Sequence, residues 1–270
     1  GWNCRADGTW SHTRNSYSDY GYYFVSDDAG EQRLIELSDM TPAIESSGVM
    51  DVDWYMYHGV HEEDKINMID KTGVSGGGRE FYGELITSRE STLELSFPTA
   101  HVRTDIEATC RVHLAGSTGE ATKIKVEYGN NSATSTVKPI NVSDFYTKAE
   151  IDSLTMFARP VSSGNQKVKL QFISGPQTAN VYLNYVVLNV PCQLTMAGDV
   201  MLITNTSYLG DTPYMRFHLS GATSETQIWR ITDGVNIEQM PTTTNDGVLT
   251  WVGNNTSAER YIAVNPTGHN

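Results

Sequence analysis

Along several short stretches of the chain, apolar residues fall at every second position, the period of a strand with one dry and one wet face. Leu93, Leu95 and Phe97 alternate with Thr92, Glu94 and Ser96 and stop at Pro98. Ile124, Val126 and Tyr128 alternate with Lys123, Lys125 and Glu127 and stop at Gly129-Asn130-Asn131. Val168, Leu170 and Phe172 alternate with Lys167, Lys169 and Gln171 and stop at Gly175-Pro176. Val181 to Val190 is apolar in both phases, which predicts a central strand covered on both sides and closed by Pro191. Only Thr147-Lys148-Ala149-Glu150, with capping-box spacing and then Ile151 and Leu154, reads as a short helix.

Short strands punctuated by Gly, Pro, Asn and Ser predict an all-β chain, with a jelly-roll-like β-sandwich over residues 1–195. A smaller, Ig-like β unit is expected over 196–270, after Ala197-Gly198-Asp199. Its strands are predicted at Val200 to Ile203, Tyr214 to Leu219, Gln227 to Ile231, Val248 to Val252 and Arg260 to Val264. A unit this small is near the lower limit for independent stability, so it is expected to lean on the first or be completed by something beyond Asn270.

Composition narrows the picture. A chain of 270 residues with 39% apolar and 10% aromatic residues can bury a core in one large or two moderate domains. Its net charge of −13 argues against a nucleic-acid partner, which needs a basic footprint. No apolar run of about 18 residues occurs, so no membrane span is expected, and nothing at the start reads as a signal peptide. With Gly rather than Met at position 1, the sequence looks like a mature or excised piece.

Cys4, Cys110 and Cys192 are too few and too scattered for a disulfide framework or a zinc knuckle. Cys110 shares the apolar phase of Ile106, Ala108, Val112 and Leu114, as a buried thiol would; a Cys110–Cys192 bridge in an oxidising compartment is the alternative.

The candidate chemistry is sparse. His58, His61, Glu62, Glu63 and Asp64 include metal-ligand types, but their spacing fits no specific site, and Lys65 competes; an ion-pairing or solvated loop is the plainer reading. The glycines of Gly73 to Gly78 lack the Gly-Lys-Ser/Thr that cradles phosphate and read as a sharp turn. Asp51 and Asp53 share a strand face, as an exposed edge, a calcium site or a glycosidase pair would. Trp10, Tyr17, Tyr20, Tyr22, Tyr23, Trp54, Tyr55 and Tyr57 are either core or a sugar-stacking platform. No nucleophile elbow and no cysteine in a catalytic setting is present, so no catalytic, cofactor-binding or metal residue is assigned.

Several segments together resemble one family. Tyr57-His58 through Asn67, followed by Ser75 to Glu84 reading SGGGREFYGE, is similar to a passage of the PorU-type, gingipain-related cysteine peptidases. There an acidic stretch and an Asn precede Ser-Gly-Arg-Glu-Trp-Tyr-Gly-Glu. The matching residues are Ser75, Gly78, Arg79, Glu80, Phe81, Tyr82, Gly83 and Glu84, with Phe81 where the family has Trp. Tyr17 to Phe24 resembles that family's aromatic strand. Tyr182-Leu183-Asn184-Tyr185 and Ile228 to Asp233 resemble its Leu-Asp-Tyr and Trp-Asp-Val-Thr-Asp passages, with Asn184 and Arg230 in place of acids. Arg260 to Val264 resembles the strand just before the peptidase domain.

The resemblance implies a β-rich, non-catalytic region of a secreted or bacterial surface protein, with the catalytic His and Cys beyond Asn270. It implies a downstream peptidase domain in the same chain as partner, secreted cargo or glycans as further partners, type IX secretion as the setting, and no cofactor. A carbohydrate-binding or adhesive β-sandwich is the alternative.

Overall fold

The computed structural model describes residues 1–15, 18, 20, 35–40, 48–67, 81–144, 149–232 and 236–265. Among these the chain is strand, turn and loop, with no helix. The strands are β1 (Trp2–Cys4), β2 (Trp10–His12), β3 (Glu36–Leu37), β4 (Val49–Val52), β5 (Trp54–Glu62), β6 (Ile66–Asn67), β7 (Phe81–Tyr82) and β8 (Leu85–Ile86). They continue with β9 (Thr92–Phe97), β10 (Ala108–Ser117), β11 (Thr122–Tyr128), β12 (Asn131–Val137), β13 (Glu150–Ala158), β14 (Gln166–Ser174) and β15 (Asn180–Gln193). The last are β16 (Val200–Ile203), β17 (Tyr214–Ser220), β18 (Gln227–Arg230), β19 (Glu238–Gln239), β20 (Thr243–Asn245), β21 (Val248–Asn254) and β22 (Tyr261–Val264). Packing divides them into two compact units, one of Gly1–Asn3, Trp10–Tyr20 and His58–Val190, the other of Cys4–Thr9, Gly21–Tyr57 and Pro191–Asn270.

In the first unit one sheet runs β13-β10-β15-β5, with β8 also on β15, and a second runs β12-β11-β14-β9. The alternation read from sequence is what places the side chains. Ile124, Val126, Val168, Leu170, Leu95 and Phe97 are buried, as are Ala108, Cys110, Val112 and Leu114 of β10. The other phase of the four-stranded sheet is wet and ion-paired, Lys167 to Glu94 at 2.6 Å and Lys169 to Glu127 at 3.4 Å.

The β11–β12 connection is two residues long, and Gly129 adopts φ +56 as the first of them, the glycine position of a II′ hairpin turn. A Cβ there would also lie 2.3 Å from the Arg159 carbonyl oxygen. Gly129→Ala is therefore expected to cost roughly 2 kcal/mol of stability. Urea unfolding checks this, and an unchanged midpoint would contradict it.

Two local expectations are corrected. The segment read as a helix from Glu150 is strand β13, paired antiparallel with β10 so that Leu154 lies opposite Val112, Met156 opposite Cys110 and Ala158 opposite Ala108. Leu154, Met156 and Ala158 recur with period two and find a sheet edge to pair with, whereas one short apolar stripe cannot offset helix nucleation. Thr147 and Lys148, the proposed cap, lie outside the described residues. Strand β15 also does not stop at Pro191 but continues to Gln193. Its pairing with β10 ends at Asn189, so on that side the missing proline N–H breaks no ladder bond.

In the second unit the sheets run β16-β22-β18-β19-β3 and β20-β21-β17-β4. Seven of these strands come from residues 200–264; β3 and β4 add parallel pairings from residues 36–37 and 49–52. Its core is aromatic, with Phe217 and Trp251, cross-strand partners, stacked at 4.8 Å and Tyr261 tilted against both.

Candidate functional site

The densest polar cluster of the first unit is built on β5. Side chains three apart on a strand point to opposite faces, so His58 and His61 diverge rather than converge on one ion. On one side, His58 Nδ1 lies 2.8 Å from Asn189 Oδ1, and the ring packs against Trp2 and Trp10 at 5.3 and 5.1 Å. Asn189 in turn accepts from the Trp10 N–H at 3.0 Å and donates to the Trp10 carbonyl at 3.1 Å, which fixes β2 against β15. On the other side, His61 Nε2 meets Glu84 Oε1 at 2.6 Å.

The acids of this stretch have basic partners nearby. His12 Nδ1 is 3.2 Å from Glu62, Arg14 Nε is 3.3 Å from Asp64, and Lys65 pairs with Glu63. This is the ion-pairing reading of the segment. Among the described residues, no group of three or more His, Cys, Asp or Glu side chains is placed to hold a metal ion.

Burial sets the electrostatics. It pushes His58 down to about 4, with the Asn189 hydrogen bond opposing, and it pushes Glu62 up, with the His12 hydrogen bond opposing. Lys65 holds Glu63 below its ordinary value. In the unfolded chain His58 takes its proton near 6.5; folded, it does so only near 4. Between those values the unfolded state binds more protons, so stability that is full above about pH 6.5 is lost as pH falls toward 4. His58→Gln should remove up to about 1.4 kcal/mol per pH unit of that slope. Urea midpoints at several pH values between those limits check it, and parallel curves for the two proteins would contradict it.

The family-like segment is only partly visible. Ser75, Gly78, Arg79 and Glu80 lie outside the described residues, as do Tyr17, Tyr22, Tyr23 and Asp233. Phe81 is half-buried; Tyr82 is fully buried with Ala115, Ala149 and Tyr182, and Ile66 packs on that cluster. Gly83 donates to the Leu183 carbonyl at 2.7 Å and leaves no room for a Cβ, which would lie 2.8 Å from the Glu63 carbonyl oxygen. Glu84 anchors His61. Tyr82, Gly83 and Glu84 thus contact Ile66, Leu183 and His61 respectively.

Trp10, Trp54 and Tyr55 are buried and Tyr57 is half-buried, so of the described rings in that set only Tyr20 is exposed and no stacking platform forms among them. Asp51 and Asp53 do share an exposed face, and Asp51 is bound to His218 at 2.7 Å and Arg216 at 3.4 Å. All three cysteines are free thiols, so the Cys110–Cys192 bridge is not formed. Burial pushes Cys110 and Cys192 up to about 12 and raises Cys4 as well, the opposite of what a thiolate nucleophile requires. Sequence reasoning missed Asn189 and the β1–β2 ribbon that carries Trp2 and His12; the alternation Trp10-Ser11-His12 was the available signal.

These features define an all-β protein built on β-sandwich packing. No protein-family model and no curated protein matches the sequence. Among solved structures, dimeric latent PorU from Porphyromonas gingivalis is similar over 97% of this chain, with a TM-score of 0.80 and 20% identity. The chain spans 25% of the length of that PorU chain, and at this identity the likeness is one of fold. A family 36 carbohydrate-binding module in complex with calcium and xylotriose overlaps 48% of this chain and 91% of its own, at 15% identity and a TM-score of 0.27. A family 35 carbohydrate-binding module from Clostridium thermocellum overlaps 51% of this chain and 98% of its own, at 10% identity and a TM-score of 0.28.

Proposed function

We propose that this chain is the non-catalytic region ahead of a cysteine peptidase domain in a secreted or surface protein of the PorU type, which it positions or presents. One observation carries the reading: segments similar to that family occur in order along a chain whose fold is similar to PorU over 97% of its length. The protonated, buried state of Cys110 and Cys192 supports placing the nucleophile elsewhere. The proposed parts are a β-sandwich built mainly from residues 1–195 and a smaller β unit built mainly from 196–270 with β3 and β4 joined to its sheets, and the residues from Ser75 to Glu84 serve structure rather than catalysis. Secreted proteins handled by the peptidase would be its further partners. Reading the coding sequence past residue 270 tests the proposal. A domain with a catalytic His and Cys is expected there, and its absence sinks the reading.

A further inference from the structure

Half of the lysines of this acidic chain stand on one sheet face. The chain carries a net charge of −13 and has eight lysines. Four of them, Lys123 and Lys125 of β11 and Lys167 and Lys169 of β14, fall in the wet phase of the β12-β11-β14-β9 sheet. Residues directly opposite one another across a ladder share a face, and register puts Glu127 opposite Lys169 and Lys169 opposite Glu94. The same rows take Ser132, Thr134 and Thr136 from β12 and Thr92 and Ser96 from β9, all uncharged. Glu94 pairs with Lys167 at 2.6 Å, and Glu127 pairs with Lys125 and, at 3.4 Å, with Lys169. Four ammonium groups thus meet two carboxylates, so this face is cationic on a molecule that is anionic as a whole.

One end of the face is concave. A cavity of about 240 Å³ is bounded there by Glu127, Lys167 and Lys169 of the sheet and by Val161, Ser162 and Asn165 of the β13–β14 connection. Gly129 also lines it and brings no side chain to fill it. The connection is held in place by Gln166, which is 3% exposed. Its Nε2 donates to the Ser162 and Gly164 carbonyls at 3.0 and 2.6 Å, and its Oε1 accepts from the Tyr128 hydroxyl at 3.2 Å. The side-chain groups left open toward a ligand are donors. Ser162 Oγ already accepts from the Gly164 N–H at 3.1 Å, which leaves its hydroxyl proton, and Asn165 Oδ1 already accepts from the Thr99 N–H at 3.3 Å, which leaves its amide N–H pair. The Lys167 and Lys169 ammoniums each use one of three N–H groups on a carboxylate. Glu127, the one acid among the described lining residues, is already held by two ammoniums. Val161, 73% exposed, adds an apolar surface beside them.

We infer that this cavity is a binding site for an acidic sugar, a pyranose ring that bears a carboxylate. Open donors select a ligand rich in acceptors, and ammonium groups select one that is negatively charged. The Val161 surface and a volume of about 240 Å³ select a ring with an apolar C–H face over a small inorganic anion. Lys167 and Lys169 take the carboxylate, while the Ser162 hydroxyl and the Asn165 amide donate to ring hydroxyl oxygens. Gln166 holds the connection in shape before a ligand arrives, so little ordering opposes binding. The site lies within residues 127–169 and is independent of the peptidase reading above.

The test is an amide NMR titration of the 270-residue protein with D-galacturonate, with D-galactose and inorganic phosphate run in parallel, repeated for a K167Q/K169Q variant. Both lysines lie on the wet face of the sheet, so the variant should fold, and unchanged amide positions on β10 and β15 report that it has. Galacturonate should shift the Ser162, Asn165, Gln166 and Lys169 amides to saturation in the wild-type protein. Galactose and phosphate should bind about tenfold or more weakly, and the folded variant should bind galacturonate about tenfold more weakly. Absence of a saturable shift with galacturonate overturns the inference, as does an unchanged affinity in the variant. Galactose binding as tightly overturns it too, since the charge would then go unread, and so does phosphate binding as tightly, since the face would then take any anion.

Discussion

Gly253→Ala should destabilise the second unit by about 3 kcal/mol, because the strand it sits on has no space for a side chain. A Cβ at that position would lie 1.8 Å from the Tyr261 hydroxyl oxygen and 2.8 Å from the carbon that bears it. Tyr261 cannot step aside cheaply. It is 1% exposed, packs against Phe217 and Trp251, and donates its hydroxyl proton to Glu259. Burial and the Glu259 carboxylate hold the phenol well above its ordinary range, so it stays a donor. Glu259 is itself buried and is tied to Arg230 at 3.2 Å, so moving the phenol disturbs a connected network. Tyr261→Phe removes the nearest clashing atom but not the next, and should therefore rescue Gly253→Ala only in part. A double-mutant cycle measured by urea unfolding checks this, and strict additivity would contradict the account.

Tyr82→Ala should cost the first unit about 4 kcal/mol. The ring is wholly buried among Ala115, Ala149 and Tyr182, small and aromatic neighbours that cannot collapse into the space it would leave. Gly83→Ala is the smaller companion change, at about 2 kcal/mol, since its Cβ meets the Glu63 main chain rather than a flexible side chain. Both should lower the unfolding midpoint without touching any group that could act on a substrate. A loss of ligand binding or activity in Tyr82→Ala with an unchanged midpoint would mean that the motif is functional rather than architectural.

The strands of the first unit were legible because one face is wet: Lys123, Lys125 and Glu127 mark their own exposure, and Ile124, Val126 and Tyr128 are buried accordingly. Val181 to Val190 was legible for the opposite reason, as a strand apolar in both phases. Strand β13 was misread because a residue pair three apart fits a helix as well as Leu154, Met156 and Ala158 fit a strand, and the open edge of β10 that decides between them is a long-range fact. Residues 36–37 and 49–52 joining sheets with residues more than 160 positions later is equally invisible to local pattern. The His58 cluster was legible as a polar, ion-pairing segment but its partners were not, since His12, Arg14, Glu84 and Asn189 reach it from other strands or distant sequence.

The proposed function places the chemistry of the full-length protein outside these 270 residues. The direct measurement is labelling of the full-length protein with a thiol-directed peptidase probe, followed by mapping of the modified cysteine. The account predicts modification at a cysteine beyond residue 270, with Cys4, Cys110 and Cys192 unlabelled in the folded protein. Labelling of Cys110 or Cys192, with loss of peptide hydrolysis, would contradict it.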